Sequence, residues 1–155
     1  MNQSKRATLQ GAGAVGLYAA LVSIGMLKPG AANAATLAEA FEVKGATAAL
    51  KAMGAQDATA SDKVILKAPD IAENGAVVPV AVSSSLPNVE MIAVLVDKNP
   101  SALTGAYEIM PGIPADVTMR VKMGQSSDVI ALVKADGKYY MARKEVKVTL
   151  GGCGG

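Results

Sequence analysis

The spacing of apolar residues changes early in the chain, from a helical period to the shorter period of β-strands. Thr36 and Glu39 have the spacing of a capping box, so a helix is predicted to begin there and to end at Gly45. A second short helix is predicted over residues 47–53, ended by Gly54. The side chains expected to dock this segment on the main domain are Leu37, Phe41, Leu50 and Met53. A helix that binds a partner is the alternative.

From residue 62 onward, alternating or continuous apolar runs predict a series of short strands. The predicted strands cover residues 64–66, 76–82, 89–96, 106–110, 117–123, 129–134, 138–142 and 146–150. Pro79 cannot donate to a ladder, so its strand is expected at an edge or a bulge. The continuous run 89–96 is typical of a central strand. Asn74-Gly75 and Asp136-Gly137 predict tight hairpin turns.

A series of about seven or eight short strands, separated by turn signals, predicts an all-β fold. The specific prediction is an immunoglobulin-like antiparallel β-sandwich. A short N-terminal helical segment and a flexible C-terminal arm complete the predicted fold. The predicted divisions are an export signal peptide (1–34), the helical segment (35–60), the sandwich (61–150) and the arm (151–155). The buried Cys…Trp…Cys arrangement of antibody domains is absent, since the chain has one Cys and no Trp.

The first 34 residues have the layout of a secretory leader. Lys5 and Arg6 precede an uncharged stretch, and Ala32-Asn33-Ala34 provides a cleavage site after Ala34. Residues 4–9 resemble a twin-arginine motif in which Lys5 replaces the first arginine, which leaves the export route open. A membrane anchor is the alternative, but the stretch is rich in glycine. The predicted location is the bacterial periplasm, with no membrane attachment of the mature chain.

Composition restricts the chemistry that the chain performs alone. The chain has no His and one Cys, which excludes histidine-based triads and an internal disulfide and argues against a zinc site. Cleavage after Ala34 would remove three of 15 basic residues and none of 13 acidic ones. The mature chain would then be slightly acidic, so no nucleic-acid partner is expected. No cofactor is expected either.

Two groups of side chains leave alternatives open. The basic residues Arg120, Lys122, Arg143 and Lys144 either guide an anionic cargo or form a solvated sheet face. The methionines Met119, Met123 and Met141 form either an adaptable partner surface or plain core, and core is the preferred interpretation.

The single cysteine lies in the sequence Gly151-Gly152-Cys153-Gly154-Gly155. Glycine has no side chain to pack, so the Cys153 thiol is expected to be exposed and mobile. Thiolate is the reactive form of cysteine, and no neighbouring cation is visible to favour it. A buried thiol and an intermolecular disulfide are the alternatives.

Residues 146–155 are similar to the C-terminal signature of the SoxY family, the carrier subunits of the bacterial sulfur-oxidation (Sox) system. Residues 73–80 resemble the first hairpin of that family. The resemblance implies a periplasmic, non-enzymatic carrier in a heterodimer with SoxZ, with sulfur held covalently on Cys153. It also implies three further partners. They are a c-type cytochrome that joins thiosulfate to the cysteine, a manganese hydrolase that releases sulfate, and a sulfur dehydrogenase or other sulfur acceptor.

Two rival classes remain. Ubiquitin-like sulfur carriers end in Gly-Gly and are activated at the terminal carboxylate, but they work in the cytoplasm, which the leader disfavours. The other rival is a structural or adhesive periplasmic β-sandwich whose Cys153 forms an interchain disulfide.

Overall fold

Two β-sheets and a short helical segment make up residues 37–149, the part of the chain that the computed structural model describes. Residues 37–42 are helical, and helix α1 spans Ala46–Ala52. The strands are β1 (Thr59–Ala60), β2 (Val64–Lys67), β3 (Ile71–Ala72), β4 (Val78–Ser84), β5 (Val89–Val96), β6 (Leu103–Glu108), β7 (Asp116–Val121), β8 (Ser127–Ala135) and β9 (Lys138–Val148). The predicted all-β class with a short helical segment is confirmed. The predicted leader, residue Thr36 of the capping box and the arm lie outside the described residues.

The strands form a six-stranded and a three-stranded sheet. The larger sheet has the order β1-β9-β8-β5-β6, with β3 also paired to β9, and the smaller sheet has the order β2-β4-β7. The long pairs are antiparallel, as predicted, whereas β1 and β3 pair in parallel with β9. These two-residue strands cover parts of the edge of β9 that β8 leaves free.

The six-stranded sheet is buried on both faces. Along β8, Val129, Ala131 and Val133 belong to the core shared with the three-stranded sheet. The intervening Ile130 and Leu132 belong to a second core beneath the helical segment. None of these five side chains is exposed, and each large one contributes about 1.5–3 kcal/mol by its burial. Burial on both faces explains the continuous apolar run of β5, which is confirmed as a central strand between β8 and β6.

The helical segment docks mainly through small side chains. Ala40, Ala46 and Ala49 are buried with Met53, whereas Phe41 is 41% exposed. The prediction that Phe41 docks the segment is therefore wrong, because alanines bring the helix backbone close to the sheet. Leu37 and Leu50 pack at the border of this core. Two hydrogen bonds fix the helix ends: the Ala46 N–H donates to Asp97 Oδ1 (3.0 Å), and the Tyr139 hydroxyl donates to the Met53 carbonyl (2.9 Å).

The two predicted hairpin turns have different outcomes. Asp136 and Gly137 have φ angles of 49° and 71° and join β8 to β9 in a hairpin, as predicted. Asn74-Gly75 instead links β3 to β4, which lie in different sheets, and neither residue has a positive φ. Asn74 Oδ1 accepts the Ala76 N–H (2.9 Å), so the side chain stabilises a local Asx turn. The predicted hairpin at residues 73–80 is wrong for this reason.

Strand β4 corrects the prediction for Pro79. It is the middle strand of its sheet, between β2 and β7. However, β2 pairs only with residues 81–84, so Pro79 lies beyond the end of β2 and is paired only with Arg120 of β7. A proline is tolerated there because only one neighbouring strand is present at that level. Two predicted strands, 138–142 and 146–150, also join into the single strand β9.

The predicted role of the methionines in the core is confirmed. Met123 is fully buried between the two sheets, where Met119 is partly buried. Met141 is partly buried beneath the helical segment. The three side chains therefore fill the two cores and do not form one surface.

Candidate functional site

The predicted site residues Gly151, Gly152, Cys153, Gly154 and Gly155 lie outside the described residues. The structure does describe how the chain approaches them. Strand β9 ends at Val148 and is followed by Thr149, the last residue described. We call residues 147–149 the arm root.

Residues 70–73 hold one side of the arm root. The Lys147 N–H donates to the Asp70 carbonyl (3.0 Å), and the Thr149 N–H donates to the Ala72 carbonyl (3.1 Å). The Thr149 hydroxyl also donates to the carbonyl of Glu73 (3.1 Å). These bonds continue the parallel pairing of β3 with β9, so the backbone is held in place up to Thr149.

Residues on the other side complete the anchor. The Val148 N–H donates to Ser126 Oγ (2.9 Å), which lies just before β8. The Met123 N–H donates to the Gly75 carbonyl (2.7 Å), which ties the loop before β8 to the turn after β3. The arm root is therefore anchored from two sides. These contacts join residues far apart in sequence, and no motif or spacing predicted them.

The four basic side chains that could guide an anionic cargo differ in their surroundings. Arg143 Nη1 lies 3.2 Å from Asp128 Oδ2, and Lys144 Nζ lies 3.0 Å from Asp70 Oδ1. Arg143 and Lys144, two of the four basic residues in question, are thus paired with carboxylates. Arg120 is exposed on β7, as a solvated sheet face requires.

Two apolar side chains near the arm root are exposed to solvent. Ile71 is 58% exposed and Val77 is 51% exposed. Ile71 lies in β3 and Val77 lies just before β4, on either side of the turn 73–76 that joins these strands. Ala72 and Glu73, which bond the arm root, lie between them. Ile71 is also the register partner of Lys147. The anchor of the arm is thus flanked by exposed apolar surface.

The opposite end of the sandwich carries the Asp136-Gly137 hairpin, and we call it the hairpin end. There Glu90 accepts the Gly137 N–H (2.8 Å) and pairs with Lys134 (3.2 Å). The Gly137 hydrogen bond is the main cause that lowers the pKa of Glu90, and Lys134 adds to it. A cleft of about 410 Å³ lies at this end too, between residues 54–59 and 137–140. Both features are remote from the arm root.

Within residues 37–149, no group of three or more acidic or other metal-ligating side chains is arranged to hold a metal ion. Nor is any helix in this range long and apolar enough to cross a bilayer.

Comparison with known proteins identifies the family. Residues 49–153 match the family described as "Sulfur oxidation protein SoxY", which covers more than half of the chain. The chain belongs to the SoxY family. The matched range includes Cys153 and the whole anchor of this SoxY chain.

Solved structures agree with this assignment. The sulfur carrier protein SoxY from Chlorobium limicola f thiosulfatophilum is 37% identical, with a TM-score of 0.55 over 59% of this chain and 84% of that one. A superoxide reductase (neelaredoxin) from Ignicoccus hospitalis is 23% identical, with a TM-score of 0.51 over 56% of this chain and 79% of that one, and shares the fold alone. No curated protein matches the chain. The family and the Chlorobium relative together support a sulfur carrier in sulfur oxidation.

Proposed function

We propose that this SoxY chain is a periplasmic carrier of the thiosulfate-oxidising Sox pathway and holds sulfur covalently on Cys153. The observation that carries the proposal is that the family match runs through residue 153, the position of the only cysteine. Gly151 and Gly152 before it, and Gly154 and Gly155 after it, provide a thin backbone that fits a narrow channel. The chain itself lacks histidine, so the catalysis is left to partner enzymes.

The proposed chemistry begins with formation of a sulfur–sulfur bond. The Cys153 thiolate and the outer sulfur of thiosulfate are joined with the loss of two electrons, which a c-type cytochrome accepts. Water then attacks the sulfonate sulfur in a manganese hydrolase. Sulfate and one proton are released, and a persulfide (–S–SH) remains on Cys153. A sulfur dehydrogenase then oxidises the outer sulfur of the persulfide to a sulfonate, with three water molecules consumed and six electrons passed to its acceptor. A second hydrolysis releases that sulfonate as sulfate and regenerates the thiol. Alternatively, the outer sulfur is transferred to the thiol of another acceptor, which regenerates the Cys153 thiol without a change of oxidation state.

The proposal also includes assembly and location. The carrier forms a heterodimer with SoxZ, and the leader resembling a twin-arginine signal exports it to the periplasm. The rigid sandwich gives partners a surface to recognise, and the arm carries the reactive atom.

Mass spectrometry of the intact protein during thiosulfate turnover tests the carrier function. We expect mass increases that correspond to a thiosulfonate and a persulfide, located on the peptide that contains Cys153 and absent from Cys153→Ser. Detection of free thiol alone during turnover would contradict the proposal. A covalent dimer on non-reducing gels, without sulfur adducts and lost in Cys153→Ser, would favour the adhesive alternative.

A further inference from the structure

The length of the arm limits where a partner enzyme can bind. The backbone is anchored up to Thr149, and Cys153 follows four residues later. Four extended residues span about 13–14 Å. The Cys153 thiol can therefore reach no farther from Thr149 than this backbone length plus the length of the cysteine side chain. An enzyme that acts on Cys153 must place its catalytic groups within that reach. The rim of its channel then contacts the surface around the arm root.

That surface contains the exposed apolar side chains of Ile71 and Val77, on either side of the turn 73–76. Ile71 points away from the core, since the next residue, Ala72, is buried. Val77 likewise precedes the buried Val78. Burial of such side chains provides contact energy without requiring a precise pattern of hydrogen bonds. A surface of this kind suits several partners that bind in turn.

We propose that Ile71 and Val77 form the docking surface for the enzymes that act on Cys153, an inference that rests on the proposed function. The occupant is an enzyme whose active site opens through a channel at most about 14 Å deep, the reach of the arm, with apolar side chains on its rim. The enzymes share this surface because all of them receive the same short arm.

The hairpin end provides a matched control surface. Met110 and Ile113 are exposed by 67% and 60%, at least as much as Ile71 and Val77. They follow β6, whose last residue Glu108 pairs with Met91 near the hairpin end. Strand β9 has 11 residues, so it separates the two ends by about 35 Å. The arm does not span this distance.

The test compares two double variants in the heterodimer with SoxZ. Ile71→Ser with Val77→Ser alters the docking surface, and Met110→Ser with Ile113→Ser alters the control surface. Loading of Cys153 by the c-type cytochrome with thiosulfate is followed by intact mass. We expect kcat/KM for loading to fall about tenfold in the first variant, mainly through KM, and to stay within about twofold in the second. Alkylation of Cys153 by iodoacetamide, which requires no docking, should proceed at the same rate in both variants.

The outcomes separate the docking proposal from the proposed function. Normal loading of the parent chain with equal loading of both variants would overturn the docking proposal alone. Absence of loading in the parent chain would overturn the proposed function and the docking proposal with it. A dimer of the carrier that dissociates only in the Ile71→Ser, Val77→Ser variant would show that a second copy, not an enzyme, occupies the surface.

Discussion

The ionisable side chain of Glu90 is bonded directly to the backbone of the Asp136-Gly137 turn. Its carboxylate accepts the N–H of Gly137, a residue whose φ of 71° favours glycine. This bond, with the nearby Lys134, favours the charged form and lowers the pKa below its ordinary value of 4.5, although partial burial and, less strongly, Asp136 oppose the shift. The charged carboxylate therefore stabilises the β8–β9 hairpin.

We predict that Glu90→Gln reduces stability at neutral pH but not at low pH. Because the folded pKa is lowered, the contribution of Glu90 is present above pH 4.5 and is lost as the pH falls through the lowered pKa. The side chain is 45% exposed, so the loss at pH 7 should be below about 1 kcal/mol. Urea unfolding at pH 7 and pH 3 measures it. Glu42→Gln, at an exposed position, serves as the control, and an equal loss at both pH values would contradict the prediction.

Single residues also show which turns were predictable from sequence. Asp136-Gly137 lies between two strands that pair with each other, so its local preference and the fold agree. Asn74-Gly75 has the same local preference, but its flanking strands belong to different sheets. A dipeptide of this kind indicates the preferred backbone conformation of a turn, but it does not indicate whether the two flanking strands pair with each other. Only the tertiary structure therefore distinguishes the hairpin at Asp136-Gly137 from the connection at Asn74-Gly75.

At the scale of elements, α1 depends on the small size of its buried residues. Ala46 and Ala49 are at most 2% exposed, and Ala49 packs in the core with Leu95, Ile130 and Leu132 of the sheet. The helix has seven residues, too short to be stable in isolation, so its stability comes from this packing.

Ala49→Leu is therefore expected to destabilise the protein by about 1–3 kcal/mol, because the larger side chain forces the helix away from the sheet. Lys51→Leu places the same side chain on the exposed face of α1 and should change stability by less than about 0.5 kcal/mol. Chemical denaturation of both variants measures the difference. Equal stability of the two variants would show that α1 is not tightly packed.

The elements also show how far periodicity predicts structure. The strong apolar run of β5 and the alternation of β7 were predicted correctly, because each follows directly from which faces are buried. The large apolar side chain of Phe41 predicts a place in the interface, yet the side chains buried beneath the helical segment are mainly alanines and Phe41 is exposed. The position of Pro79 depends on where β2 ends, which the sequence of β4 does not contain.

At the scale of the whole molecule, the two-sheet body is described up to Thr149, four residues before Cys153. Two cores stiffen the six-stranded sheet, and β9 carries that rigidity to Thr149. The sequence predicts Cys153 as the site because glycines on both sides make an unusual pattern, and this stays a prediction because Cys153 lies outside the described residues. It did not predict the anchor: Ser126 and Ala72 meet β9 from distant parts of the chain, and such contacts carry no sequence signature.

Because the chain is anchored at Thr149, we predict that the length of the arm controls how partner enzymes reach Cys153. Deletion of Gly151 and Gly152 shortens the reach beyond Thr149 from about 14 Å to about 7 Å. We expect enzymatic loading with thiosulfate to fall at least about 100-fold, since misplacement of a reacting atom by even 1 Å has large effects on rate. Alkylation of Cys153 by iodoacetamide should be nearly unchanged, because a small reagent needs no channel.

The matched control replaces Gly151 and Gly152 with two alanines, which keeps the length of the arm and adds only methyl groups. Its loading should stay much closer to that of the parent chain than to that of the deletion. If the deletion loads as fast as the parent, the enzymes reach Cys153 without the extended arm, and the anchor at Thr149 does not set the distance. If the alanine variant loses as much as the deletion, the thinness of the arm is the limiting property and its length is not.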